Sequence, residues 1–123
     1  MVNMKDKNYF FALDIPLIIT KQFKNKNDRL IQEYITDRDK LCILYQSRPD
    51  CIRTPTSGHH LIKRRYLLSR WHPYNVFGLC VNCHKWAHDN EAESEKIIIE
   101  NAVNRCIMSD DTQFYKLKER AKK

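Results

Sequence analysis

Residues 57–65 read SGHHLIKRR: two adjacent histidines followed at once by a cluster of positive charge. Neighbouring side chains on a strand point to opposite faces, so His59 and His60 are a poor way to fill one core. They are a reasonable way to offer two imidazoles two different tasks. Further on, Asn75 lies just past Pro73, and LCVNCHKWAH (79–88) brings Cys80, Cys83, His84 and His88. The i, i+4 spacing of His84 and His88 suits one helical face and permits both rings to converge without requiring it.

The flanks frame this centre. Upstream, QSRPDCIRTPTSG (46–58) has two prolines and a glycine and predicts a loop. Before it, NDRLIQEYITDRDKLCILY (27–45) predicts a helix capped by Asn27 or Asp28, with Leu30, Ile31, Tyr34 and Ile35 at helical spacing. Ile15, Leu17, Ile18 and Ile19 point to a short strand. HHLIKRRYLL reads as a strand leading into a turn, and SRWHPYNVFGL as a loop entering a short strand. Downstream, EAESEKIIIENAVNRCI predicts a strong helix with a stripe from Ala92 through Ile98, Ile99, Ala102 and Val103 to Cys106, which is expected in the core. DDTQFYKLKERAKK predicts another helix with a basic end.

Bulk properties bound the class. The chain has 123 residues, the size of one domain, and its 42% hydrophobic content supplies a modest core. Two glycines and four prolines argue against a loop-rich or disordered chain. Lys and Arg number 22 against 15 acidic residues, a formal charge of +7 that favours a polyanionic partner. The early apolar stretch YFFALDIPLII is broken by Asp14 and Pro16 and does not read as a secretory signal, and no run is long enough to span a bilayer. A cytoplasmic chain is expected. Five cysteines, an odd number, then point to free thiols or metal ligands rather than a disulfide framework.

Singly, each motif has a simpler reading. A His pair is common, His84 and His88 could be a solvated helical face, and Asn75 could be a turn residue. In order, however, GHH … N … LCVNCHKWAH resembles the HNH endonuclease family, whose ββα-metal (His-Me finger) motif wraps two strands and a helix around one metal ion. The resemblance covers about residues 51–88 and looks closest to phage recombination nucleases of the NinG/Rap type. It implies an α+β chain with the ββα-metal core at 51–90. N-terminal strand and helix elements (1–50) would pack on that core, and 91–123 would form a C-terminal helical extension.

The family's roles fall on particular residues. His59 matches the first-strand metal ligand and His60 the general base that deprotonates water. Asn75 matches the residue that holds the inter-strand loop and orients the base. His84 matches the helix metal ligand, and His88 either a third ligand or a phosphate contact. The implied activity is metal-dependent hydrolysis of DNA phosphodiesters with low sequence specificity, on branched or single-strand-containing DNA, leaving a 5′ phosphate. Mg, Mn, Zn or Ni could serve, and nitrogen-rich ligation favours the transition metals.

Many HNH proteins also clamp this unit with a structural zinc held by two CxxC pairs. Cys80 and Cys83 form one pair, but Cys42 and Cys51 do not form the other. A Cys42/Cys51/Cys80/Cys83 zinc site requires ILYQSRPD to loop back. Otherwise the thiols are small buried hydrophobes. Lys63, Arg64, Arg65 and Arg70 are either a solvated face or DNA phosphate contacts; their place beside the histidines favours the latter. Trp71, Tyr74 and Phe77 are expected mostly in the core, and His72 in a loop. The competing functions are a non-enzymatic zinc-stabilised nucleic-acid-binding module and a phage packaging-complex subunit active only with partners. A homodimer is expected if both strands are cut.

Overall fold

The computed structural model describes residues 18–122. Five helices and two strands follow in order among them: α1 (Lys21–Arg38), β1 (Ser57–His60), α2 (Leu67–Arg70), β2 (Val76–Leu79), α3 (Val81–Asp89), α4 (Glu91–Asn104) and α5 (Thr112–Ala121). The fold is α+β, with β1 and β2 paired antiparallel in a two-stranded sheet. No helix among the described residues is long and apolar enough to cross a membrane.

The strand register explains how helices cover both sheet faces. Gly58 stands opposite Gly78, His59 opposite Phe77 and His60 opposite Val76. The chain's two glycines therefore face each other where α1 and its C-terminal end approach most closely. A Cβ on Gly58 would lie 2.9 Å from both Gln32 Oε1 and Val76 Cγ1, and one on Gly78 would lie 3.1 Å from Asp39 Cβ and Pro55 Cβ. On this face Val76 packs with Ile31, Tyr34, Ile35 and Trp71. On the other, Phe77 and Leu79 join the larger core of Ile98, Ile99, Ala102, Phe114 and Leu117 from α4 and α5. Alternation along β1 thus sends His60 towards α1 and His59 towards α3.

Several sequence expectations are corrected. Helix α1 starts at Lys21, not after Asn27 or Asp28, because Thr20 Oγ1 accepts the Phe23 N–H at 3.0 Å and caps it there. Asn27 instead donates to the Phe23 carbonyl, and Asp28 accepts from Arg70 and Trp71. The helix stops at Arg38 rather than running to Tyr45. Arg38 and Asp39 form a buried ion pair at 2.8 Å; Arg38 also donates to the Pro73 and Val76 carbonyls, and Asp39 accepts the Gly78 N–H. That pair fixes the end of α1 to β2. Residues Cys42, Ile43 and Leu44 then form a fully buried non-helical turn, with the Ile43 N–H donating to the Gly78 carbonyl.

The strand expected near Ile15 and Leu17 lies outside the described residues, while Ile18 and Ile19 are in no strand. In α4 the buried stripe is Ser94, Ile98, Ile99 and Ala102, with Ala92 exposed. Cys106 is exposed rather than core: it takes φ 61° just past the helix end, and the Ile107 N–H donates back to the Ala102 carbonyl. This left-handed closing turn points the cysteine outward.

Candidate functional site

Three imidazoles meet between β1 and α3. Ring centroids of His59 lie 5.0 Å from His84 and 5.1 Å from His88, and those of His84 and His88 lie 4.7 Å apart. Each ring offers a nitrogen within 4.8 Å of the others. Local structure accounts for the meeting: β1 sends Ser57 and His59 to the same face, and α3 stacks His84 on His88 one turn on. Ser57 Oγ lies 2.7 Å from His84 Nδ1, which leaves Nε2 as the ring's other nitrogen for a ligand.

His59 is buried and its Nδ1 has no hydrogen-bond partner, a costly condition for a polar atom. Burial, reinforced by the neighbouring His84, His88 and His60, pushes His59 down to about 3. Burial and then His88 also lower His84. These rings are therefore neutral near pH 7, the form that ligates metal. An orphaned buried nitrogen within a three-imidazole set fits a divalent transition ion.

His60 faces the other way along the strand and is held separately. Its Nε2 lies 2.9 Å from the Arg70 carbonyl, so that nitrogen carries the proton and Nδ1 is the basic one. Burial, opposed by that hydrogen bond, pushes His60 down to about 4. Asn75 is fully buried: it accepts from the Ile62 N–H at 2.6 Å and donates to the carbonyls of Ile62 (3.1 Å) and Ser69 (3.0 Å). It ties both ends of the segment between the strands. Its link to His60 is indirect, through the backbone at Ser69 and Arg70.

A second cluster lies at the start of α3. The sulfurs of Cys42, Cys51, Cys80 and Cys83 are all within 4.8 Å of one another, and this set of four thiols could hold a metal such as zinc. Sulfurs on a tetrahedral zinc with Zn–S near 2.3 Å lie about 3.8 Å apart, and Cys51 Sγ is 3.9 Å from Cys80 Sγ. Cys80 is also the N-cap of α3, accepting the Cys83 N–H. Burial pushes the Cys80 thiol up, but hydrogen bonds from the Cys83 and Ile52 backbone and nearby thiols outweigh it, giving about 7. Burial raises Cys42 to about 11 and also raises Cys83. The 43–50 segment does loop back. It is held to α3 by Arg48 over the Trp86 ring (4.4 Å) and by Asn82 donating to the Asp50 carbonyl.

The basic residues divide. Arg70 is largely buried and bonded to Asp28 at 2.7 and 3.0 Å, so its guanidinium is engaged within the fold. Arg64 also reaches Asp28 but is half exposed. Asp28 accepts from Trp71 as well. Burial raises its carboxyl, but the bonds from Arg70 and Trp71 and the charges of Arg70 and Arg64 hold it below the usual range. Lys63 lies 3.8 Å from Glu91, and Arg65 donates to the Tyr66 hydroxyl. His72 accepts the Tyr74 N–H and stays outside the cavity lining, and Trp71 and Phe77 are fully buried.

One cavity of about 850 Å3 takes in four of the five histidines, His59, His60, His84 and His88. Lys63, Arg64 and Arg65 line it, and so do Asp28, Glu95, Lys118 and Lys122, which sequence reasoning does not single out. Asp28 carries only a capping signal there, and the α5 lysines have the look of a frayed basic end. No model of a protein family, no curated protein and no solved structure matches the chain.

Proposed function

We propose that the chain is a metal-dependent DNA endonuclease in which His59, His84 and His88 hold a divalent ion and His60 acts as general base. The observation that carries this reading is the shared cavity: three imidazoles converge at one wall and a fourth, separately tethered, opens onto the same space. Simple binding of nucleic acid needs no such fourth ring, and His59 Nδ1 has no protein partner.

When bound, the ion would supply Lewis-acid stabilisation of charge on the phosphate and the departing 3′ oxygen. The chain's own residues do the rest. Neutral His60 takes the proton of the attacking water on Nδ1, since its Nε2–H is held by the Arg70 carbonyl. Asn75 keeps that carbonyl's loop in place. Lys63, Arg64 and Arg65 draw the backbone to the cavity by charge, which gives salt-dependent binding with little sequence information. The HNH (ββα-metal) resemblance of GHH … N … LCVNCHKWAH supports the same assignment.

A second reading is favoured by the four-thiol cluster: a zinc-stabilised nucleic-acid-binding module without catalysis. Incubation of the purified protein with supercoiled, linear, single-stranded and four-way-junction DNA separates the two. Cutting with Mn, Ni, Zn or Mg that EDTA abolishes is expected; binding to all four DNAs with no cutting in any metal favours the second. His84→Ala is expected to weaken Mn binding in calorimetry, and unchanged affinity counts against it as a ligand.

A further inference from the structure

The C-terminal helix and the residue after it line the histidine cavity with two lysines, Lys118 and Lys122. Lys118 Nζ sits on both carboxylate oxygens of Glu95, at 2.9 and 3.1 Å. Lys122 has no ion-pair partner among the described residues. Also lining the cavity, Arg65 donates to the Tyr66 hydroxyl at 3.0 Å and lies over the Tyr66 ring at 4.9 Å, likewise without a carboxylate partner among those residues. The hydrogen bond and charge of Arg65, with smaller contributions from the charges of Lys122 and Lys63, hold the partly buried Tyr66's phenol below its usual range. Positive charge from two remote parts of the chain therefore lines the cavity that holds the imidazoles.

We infer that Lys118 of α5 and Lys122 just past its end, with Arg65 and Tyr66, form a phosphate-binding site that holds the DNA backbone next to the phosphate at the histidines. Glu95 is the place-holder: it occupies Lys118 in the DNA-free protein and yields it to a phosphate oxygen. This inference rests on the endonuclease reading for the identity of the anion, but its readout is binding and not cutting. A purely structural Lys118–Glu95 bridge makes both partners matter in the same direction. A place-holder gives them opposite signs, because removing Glu95 frees Lys118 and removes a repelling charge.

The test is fluorescence anisotropy of a labelled single-stranded oligonucleotide with the full chain, without added divalent ion, across a series of salt concentrations. Lys118→Gln with Lys122→Gln is expected to weaken binding about ten-fold at moderate salt. The slope of log K against log salt should fall by about 1.4, or about 0.7 for each phosphate that is no longer neutralised. Glu95→Gln is expected to tighten binding about three-fold. The inference is overturned if the double lysine variant keeps the wild-type affinity and slope, or if Glu95→Gln weakens binding as Lys118→Gln does. If the lysine variants behave as expected but no form of the protein cuts DNA, the cationic site stands and the endonuclease reading falls. If the wild-type protein binds no DNA, both fall.

Discussion

Asn75 makes three buried hydrogen bonds to the backbone of Ile62 and Ser69. Asn75→Ala leaves the Ile62 N–H and carbonyl short of a partner, while the Ser69 carbonyl keeps the His72 N–H, so a loss of about 2–3 kcal/mol is expected. Chemical denaturation measures it, and a loss near zero would remove Asn75 from its anchoring role. The histidines set the response to acid. Burial holds His59 at about 3, and His60 and His72 at about 4, against a usual value near 6.5 in an unfolded chain. Between these values the unfolded state binds more protons than the folded one. The stability they contribute is therefore complete above about pH 6.5 and lost as pH falls through about 4. The urea midpoint of the metal-free protein should be lower at pH 5 than at pH 7.5; an unchanged or higher midpoint at pH 5 contradicts the burial of these rings.

At the scale of elements, the sheet is narrow and depends on close approach. Gly58→Ala puts a methyl 2.9 Å from Val76 Cγ1 across the strand pair and from Gln32 Oε1 on α1. The amide can swing aside more easily than the strand can, so a cost of about 1–3 kcal/mol is expected. A melting temperature equal to wild type would mean that α1 does not seat closely on the glycine pair. Helix α3 carries both clusters, with Cys80 and Cys83 at its start and His84 and His88 after them. A zinc ion on the thiolates would fix the helix origin from which the imidazoles are presented. Elemental analysis should find that Cys83→Ser loses one tightly held zinc per chain and melts at a lower temperature. Wild-type zinc content in that variant would exclude Cys83 as a ligand.

Over the whole molecule, what can be read from sequence follows the range of the interactions. Histidines and cysteines at short, fixed spacing on one helix announce themselves, as does the strong apolar stripe of α4. The start of α1 is hidden because KQFKNKN, ahead of Asp28, is too polar to display a stripe, and only the Thr20 cap marks the true beginning. Cys106 fits the helical period, but a left-handed turn ends the helix before its side chain can turn inward. The buried Arg38–Asp39 pair, the Asp28 hub and the α5 lysines depend on contacts between distant segments, which no local pattern records. The convergence of Cys42 and Cys51 on the CxxC is of this kind too: it needs a loop closure that spacing alone leaves open.

The most direct measurement is the rate at which wild-type and His60→Ala proteins nick supercoiled plasmid in Mn, with EDTA as control. The wild-type protein should nick only with metal, and His60→Ala should lose about 10²-fold or more in rate while still binding the plasmid. Nicking by His60→Ala at the wild-type rate, or no nicking by the wild-type protein in any divalent ion, would contradict the account.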